Sequence, residues 1–295
     1  MANDAGTVGG LLPRDGEPAG NIQRVSGSFY LPLGDGRWRA TVHTSGPWDS
    51  RAQHGGPPSA LMGRAIQHCA PRDEMIVSRF TCEILGAIPV GELEVTARVV
   101  RPGRSVELIE AATRVGGRDV ARASAWRVLR TGSDPIGSAR SPGASQVTAP
   151  WLPDSGSHRP SEPVGKVPPG WVDGYVSAIE WRMVSGGFMS AGPATVWARL
   201  RYPLVPDEEA TPLQRVLVVA DSASGLSGEL DVRHWRFINP ELTVHLHREP
   251  GGEWICVDAA TTISTGGAGL ATSVISDLTG PVGVSAQTLL VIPAS

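Results

Sequence analysis

Apolar residues recur at helical spacing through TPLQRVLVVADSASGLSG, which covers residues 211–228. Thr211 suits the N-cap, Pro212 suits the first helical position, and Gln214 can reach back to the cap amide, so a helix with a capping box is predicted. Asp221 falls on the apolar face, where an unpaired carboxylate costs several kcal/mol of desolvation. Buried carboxylates concentrate at active sites, but a helical Asp can also bond to backbone or water. Asp221 is therefore a candidate catalytic residue, with a structural role as the alternative.

The first part of the chain combines strand-like patterns with one helix. Residues 29–42 predict two short strands around a glycine turn. A loop with His54, Gly55 and Gly56 then leads into SALMGRAIQHC at 59–69, whose apolar stripe predicts a helix on a sheet. Alternating apolar and polar residues after this helix indicate a meander of strands with one buried face. These strand-like runs cover 76–85, 92–100, 105–115 and 120–129.

The second part repeats this order of elements, so a strand–helix–meander unit of roughly 120 residues occurs twice as a pattern repeat. Its strand-like runs cover 175–184, 194–202, 232–247, 253–264, 270–279 and 282–292. Between the units, Pro, Gly and Ser supply more than half of the residues, as expected of a linker. The predicted organisation is a loose tail over 1–27, a unit over 28–130, a linker over 131–170 and a unit over 171–295.

Composition excludes several classes of protein. With 295 residues, 41% of them hydrophobic and 19% charged, the chain is globular and long enough for two domains or one large domain. A net charge of −3 and a pI near 6.2 do not favour nucleic-acid binding. Neither a membrane span nor an export signal is predicted, and three cysteines without metal-type spacing indicate a reduced, cytoplasmic protein. G-x-S-x-G, H-E-x-x-H, Walker and G-x-G-x-x-G motifs are absent, so neither a cofactor nor a metal is expected.

Five segments carry a family resemblance through their order and spacing. They are the Gly55–Gly56 pair, the strand run beginning VSRFTCEIL, ADSASG, FINPELTVHLHR and GVSAQTLL. Together they resemble the double-hotdog acyl-CoA thioesterases of the bacterial thioesterase II type. The resemblance implies an α+β fold, a tandem (double) hotdog in which each half is an antiparallel sheet wrapped around a long central helix. It also implies that Asp221, Asn239 and Gln287 hold the attacking water. Family members typically carry Thr where Asn239 stands, and Asn keeps both a donor and an acceptor.

Three further residues are candidates for the site. Gly55 and Gly56 open a predicted helix, where a free amide and the helix dipole favour negative charge, so they are candidates for oxyanion binding, with Gly56 as donor. A tight turn is the structural alternative. His54 is a candidate for substrate binding and a rival general base, or a structural loop residue. Asn239 precedes a proline and Gln287 lies in an apolar stretch, so both also have structural alternatives.

The leading hypothesis is an acyl-CoA thioesterase that releases free acid and CoA through water activated by Asp221. The main alternative is a hotdog protein that binds acyl-CoA or an acyl carrier without hydrolysis. A dehydratase or hydratase is a weaker alternative, because no His lies near Asp221 in the sequence. The first helix has no acidic residue, so one competent site per chain is expected. Acyl-CoA is the expected partner, and a homodimer or higher homo-oligomer is compatible with the resemblance.

Overall fold

The computed structural model describes residues 27–131, 150 and 173–294. Within them the chain forms three α-helices, which are α1 (Gly56–His68), α2 (Pro212–Ala220) and α3 (Ala223–Leu226). The strands are β1 (Tyr30–Gly34), β2 (Arg37–Ala40), β3 (Met75–Ile84), β4 (Glu92–Arg101), β5 (Val106–Val115), β6 (Arg118–Leu129), β7 (Ile179–Ser185), β8 (Ala194–Leu200), β9 (Trp235–Ile238), β10 (Glu241–Leu246), β11 (Ile255–Ile263), β12 (Ala268–Asp277) and β13 (Gly280–Pro293). The predicted tail and linker lie almost wholly outside the described residues.

These strands form one antiparallel sheet in the order β1-β2-β4-β5-β6-β3-β10-β13-β12-β11-β8-β7, with β9 also pairing with β13. Strands β3 and β10 form the central pair, in which Thr81 lies opposite Thr243. Outward from this pair, β6, β5, β4, β2 and β1 follow on one side, and β13, β12, β11, β8 and β7 follow on the other. Helices α1 and α2 pack against each other on the sheet.

Alternation along the strands decides which side chains point into the core. In β13 the odd-numbered residues from Ser285 to Val291 are buried, whereas Thr288 and Leu290 are exposed. Gln287 is one of the inward positions and is fully buried. Because a buried amide needs hydrogen-bond partners, its position in the alternation already requires polar groups opposite it.

Helix α2 is buried on all sides, because it lies between α1 and the sheet. The sequence pattern predicted only one buried face. The predicted capping box is present: Thr211 Oγ1 accepts from the Gln214 amide at 3.3 Å, and Gln214 Oε1 accepts from the Thr211 amide at 3.2 Å. Gly63 of α1 allows the helices to approach closely, since a Cβ there would lie 2.6 Å from Leu217 Cδ1.

Two predicted elements are interrupted in the structure. The helix predicted over 211–228 ends at Ala220, and α3 begins at Ala223. The strand predicted over 232–247 divides into β9 and β10 at Asn239 and Pro240. Proline has no amide proton for a strand ladder, which explains the second interruption locally.

The predicted meander is partly wrong. Strands β4, β5 and β6 pair in sequence order, but β3 pairs with β6 and β10 and not with β4. Alternation specifies which face of a strand is buried, but it does not specify which strand lies at each edge. Among the helices in the described ranges, none is long and apolar enough to cross a membrane.

Candidate active site

Asp221 lies where α2 ends, and the residue is 5% exposed. The side chain of Gln287 spans the break between α2 and α3. Gln287 Nε2 donates to the carbonyl oxygen of Asp221 at 3.1 Å, and Gln287 Oε1 accepts from the Ser224 amide at 3.2 Å. Gln287 therefore satisfies backbone groups that are left without helical partners at the break.

Two carboxamides hold one oxygen of the Asp221 carboxylate. Asn239 Nδ2 donates to Oδ1 at 2.7 Å, and Gln287 Nε2 donates to the same atom at 2.9 Å. Hydrogen bonds to a charged acceptor are stronger than neutral ones, so this pair fixes the orientation of the carboxylate. The structure thus brings together the three residues that the resemblance singled out, from the end of α2, the β9–β10 break and β13.

The other carboxylate oxygen lies beside the start of α1. Asp221 Oδ2 is 3.2 Å from His54 Nδ1, and the same Nδ1 accepts from the Gly56 amide at 3.2 Å. Burial lowers the pKa of His54 below 6.5, although the negative charge of Asp221 acts in the opposite direction. A neutral imidazole carries one ring proton, so Nδ1 donates to Asp221 in one tautomer and accepts from Gly56 in the other.

Lack of space, not backbone conformation, requires glycine at positions 55 and 56. Gly55 has a φ of −66°, which any residue can adopt. A Cβ on Gly55 would lie 2.7 Å from Asp221 Oδ2, and a Cβ on Gly56 would overlap the carbonyl oxygen of Val218. The next two residues of α1 are prolines without amide protons, so among the first three residues of α1 Gly56 alone carries an N–H.

Tyr175 completes the site, and the sequence analysis missed it. The strand predicted from Tyr175 begins only at Ile179, and Tyr175 lies in the turn before it. Its ring stacks on His54 with centroids 3.7 Å apart and planes 4° apart. Its hydroxyl donates to the Val218 carbonyl at 2.7 Å and lies 2.7 Å from Ser222 Oγ. Burial raises the pKa of Tyr175, so the phenol is neutral at physiological pH.

A cavity of about 1020 Å³ opens beside these groups. His54, Gly55, Asp221 and Asn239 line it, whereas the fully buried Gln287 does not. The apolar part of the wall includes Trp48, Ile84, Leu85, Ile88, Val176, Phe188, Phe237, Ile238 and Pro240. An apolar cavity with a few convergent polar groups is typical of a site for a small molecule.

Other nucleophiles and metal ligands are poorly placed in the parts of the chain that the structure describes. No three His, Cys, Asp or Glu side chains there cluster as metal ligands. The three cysteines are free thiols. Burial raises the pKa of Cys82 and of Cys256 to about 12. Neither forms a thiolate at neutral pH, which disfavours a cysteine nucleophile.

Profiles of known families match most of the sequence. The acyl-CoA thioesterase N-terminal domain matches residues 44–128, and the acyl-CoA thioesterase C-terminal domain matches residues 152–291. The chain belongs to the acyl-CoA thioesterase family. This thioesterase is therefore an enzyme of the thioester hydrolase class. The first match contains His54 and both site glycines, and the second contains Asp221, Asn239 and Gln287.

Solved structures show that the thioesterase has a hotdog fold. It is similar to the tesB protein of Mycobacterium avium subspecies paratuberculosis, with 14% identity, a TM-score of 0.62 and coverage of 90% of this chain and 96% of that chain. A hot dog-fold protein of unknown function from Alicyclobacillus acidocaldarius has 15% identity, a TM-score of 0.63 and coverage of 90% and 95%. An acyl-CoA thioesterase II of Mycobacterium marinum has 15% identity, a TM-score of 0.60 and coverage of 90% and 95%. No curated protein sequence matches significantly.

Proposed function

We propose that this thioesterase hydrolyses a fatty or related acyl-CoA to the free acid and CoA, with Asp221 as the general base. The observation that carries the proposal is the difference between the two carboxylate oxygens. Oδ1 accepts from Asn239 and Gln287, whereas Oδ2 lies beside His54 at the cavity. Oδ2 is therefore the oxygen that takes a proton from water, because neither amide bonds to it and His54 occupies at most one of its lone pairs.

The proposed reaction needs water as its only co-substrate. Asp221 takes a proton from water while the water oxygen bonds to the thioester carbonyl carbon and an electron pair moves onto the carbonyl oxygen. The tetrahedral intermediate then collapses, the carbon–sulfur bond breaks, and the leaving sulfur takes the proton from Asp221. The products are a carboxylic acid and a thiol, and Asp221 returns to its starting state.

The two carboxamides take different roles in this proposal. Asn239 lines the cavity and uses an amide proton on Asp221, so the rest of its amide can orient the water. Gln287 is fully buried, and both of its amide atoms bond to the break between α2 and α3. Gln287 therefore acts through Asp221 as a positioning residue, and Asn239 is the carboxamide that contacts the water.

The developing oxyanion is assigned to the start of α1. When His54 Nδ1 carries the ring proton, it donates to Asp221 Oδ2, and the Gly56 amide loses its acceptor. Gly55 lines the cavity and Gly56 lies directly behind it, so we assign that amide to a substrate carbonyl oxygen that enters past Gly55, where the helix dipole also favours negative charge. Gly55 leaves room beside the carboxylate for the carbonyl to approach.

We also propose a tandem architecture. Two hotdog units over 28–130 and 171–295 would use α1 and α2 as their central helices, with the tail over 1–27 and the linker over 131–170 outside them. The equivalent strand orders on the two sides of the β3–β10 pair support this division. Helix α1 has no acidic residue, which supports one hydrolytic site per chain. A cytoplasmic location and a homodimer or higher homo-oligomer remain predictions.

Release of free CoA from a panel of acyl-CoA thioesters tests the function. Wild-type enzyme should turn over at least one member, and kcat of Asp221→Asn should fall by about 100-fold or more, since the base is lost. The variant should keep its fold, because Asn retains an oxygen that accepts from both carboxamides. Asp258→Asn, at an exposed position of β11, is the matched control. Full activity in Asp221→Asn would contradict the mechanism, and tight binding without turnover by the wild type would favour the binding-protein alternative.

A further inference from the structure

The stack between Tyr175 and His54 connects separate parts of the site. His54 precedes α1, whereas Tyr175 precedes β7. The rings are 3.7 Å apart and nearly parallel. At the other end of the same side chain, the hydroxyl bonds to the Val218 carbonyl and to Ser222, immediately next to Asp221. One tyrosine thus contacts the imidazole and the turn that carries the carboxylate.

The backbone holds Tyr175 firmly in this place. Its amide donates to the Ser45 carbonyl at 3.0 Å. The preceding residue, Gly174, has a φ of +68°, and a Cβ there would overlap Ser45 Oγ. Both the left-handed conformation and the lack of space require glycine at 174. The turn is therefore docked against the segment that leads to His54, and its geometry sets the position of the Tyr175 ring.

The plane of the His54 ring matters because two groups meet at one ring nitrogen. Nδ1 is 3.2 Å from both the Gly56 amide and Asp221 Oδ2. Rotation of the ring would lengthen one or both contacts, and hydrogen bonds weaken steeply with poor geometry. A stacked ring on one face prevents that rotation through van der Waals contact.

We propose that Tyr175 is a positioning residue for the hydrolysis, which holds His54 so that Nδ1 reaches both Gly56 and Asp221. Tyr175 itself does not contact the reacting atoms. The inference rests on the proposed function, in which the His54 proton decides whether the Gly56 amide is available to the substrate. It adds a residue outside the Asp221, Asn239 and Gln287 set.

The titratable groups that contact His54 in the described ranges are Asp221, from the end of α2, and Tyr175, from the turn before β7. The charge of Asp221 raises the pKa of His54, and burial lowers it by more. Because the Tyr175 ring covers one face of the imidazole, its removal should admit water and raise the pKa of His54.

The chain offers a matched control for this contact. Tyr202 stacks on His43 with centroids 4.0 Å apart and planes 19° apart, and neither residue lines the cavity. Tyr175→Leu and Tyr202→Leu therefore remove the same kind of stack, but only the first removes it from the site. Tyr175→Phe keeps the ring on His54 and removes only the hydroxyl bonds to Val218 and Ser222.

The experiment measures kcat and KM with acyl-CoA, and the pKa of His54 by NMR, with His54→Gln used to assign the signal. Tyr175→Leu should lower kcat by about 10-fold through misorientation of His54, with a smaller change in KM. It should also raise the pKa of His54, with Tyr175→Phe lying between Tyr175→Leu and the wild type. Tyr202→Leu should leave kcat and the His54 pKa unchanged, whatever its effect on stability.

Equal effects of Tyr175→Leu and Tyr202→Leu on kcat, or an unchanged His54 pKa in Tyr175→Leu, would overturn the proposal. If Tyr175→Leu does not fold, Tyr175→Met replaces it as a variant that also lacks the aromatic ring, and wild-type kcat with a wild-type His54 pKa in that variant would overturn the proposal. A wild-type enzyme without turnover would instead refute the proposed function, and the NMR measurement would still test whether Tyr175 orients His54.

Discussion

Asp221 Oδ2 and His54 Nδ1 lie 3.2 Å apart, although His54 precedes α1 and Asp221 follows α2. Helices α1 and α2 pack side by side, so the start of α1 meets the end of α2. Gly55 and Gly56 allow this approach because neither has a side chain. The packing of the two helices thus forms the site. Variants at this contact distinguish effects on stability from effects on kcat.

The two carboxamides should differ in their effects. Asn239→Ala should lower kcat by at least about 10-fold, since it removes a contact to Asp221 at the cavity wall, but cost at most about 1 kcal/mol of unfolding free energy. Gln287→Met should cost more unfolding free energy, about 1–3 kcal/mol, because Gln287 is fully buried and bonds to the backbone at the α2 break. Steady-state kinetics and urea unfolding provide both values.

Asn239→Thr is the control for that prediction. Threonine retains a hydroxyl that donates and accepts, so Asn239→Thr should keep more activity than Asn239→Ala. Equal kcat in wild type and Asn239→Ala would remove Asn239 from the proposed site.

The glycine pair should respond differently at each position. Gly55→Ala should mainly lower kcat, because its Cβ would lie 2.7 Å from Asp221 Oδ2 and displace the carboxylate. Gly56→Ala should mainly lower stability, by about 1–3 kcal/mol, because its Cβ would push against the backbone of α2 at Val218. Gly91→Ala is the control, since a Cβ at that glycine meets no atom within 4 Å. Thermal unfolding and kinetics of the three variants test this, and a Gly55→Ala enzyme with wild-type kcat would refute the close approach.

Acid should weaken the folded protein partly through His54. Burial lowers the pKa of His54 below its ordinary 6.5, so below about pH 6.5 the unfolded chain binds a proton that the folded chain does not. The contribution of His54 to the free energy of unfolding is therefore fully present above pH 6.5. It is lost as the pH falls towards the pKa of His54 in the folded protein. The stability difference between wild type and His54→Gln should decrease from pH 7 to pH 5 in urea titrations, and a constant difference would contradict the lowered pKa.

A buried ion pair should stabilise the end of α1. Arg127 and Glu107 pair with only 4% and 5% of their side chains exposed, and Arg127 also donates to the Cys69 and Ala70 carbonyls at 3.2 and 3.0 Å. Arg127→Met should cost up to about 3–5 kcal/mol, because it leaves the buried Glu107 carboxylate with only the guanidinium of Arg72, 3.8 Å from Oε2. Chemical unfolding measures the loss.

The exposed pair between Arg98 and Glu110 provides the comparison on the neighbouring strands. Arg98→Ala should cost at most about 1 kcal/mol, because solvent screens this pair. Similar losses of unfolding free energy in Arg98→Ala and Arg127→Met would show that burial does not determine how much these ion pairs stabilise the protein.

Local patterns predicted much of the fold. The capping box begins α2 because Thr211 and Gln214 satisfy each other's orphan backbone groups, an interaction within four residues. The apolar stretch around Gln287 indicated that its amide would need a polar partner, because buried polar groups are hydrogen-bonded. The residue set of Asp221, Asn239 and Gln287 came from a family resemblance and not from such patterns.

Tertiary structure alone decided how these residues meet. The interruption of the predicted helix at Asp221 coincides with hydrogen bonds from Gln287, which lies far away in sequence. The sequence pattern placed Tyr175 in a strand, and its role is visible only when its ring meets His54. Sequence determined local hydrogen bonds such as the capping box, and alternation along the strands indicated which strand face is buried, since both depend on neighbouring residues. The packing of α1 against α2 determined the site, because its contacts join residues whose separation along the chain leaves no periodic signal.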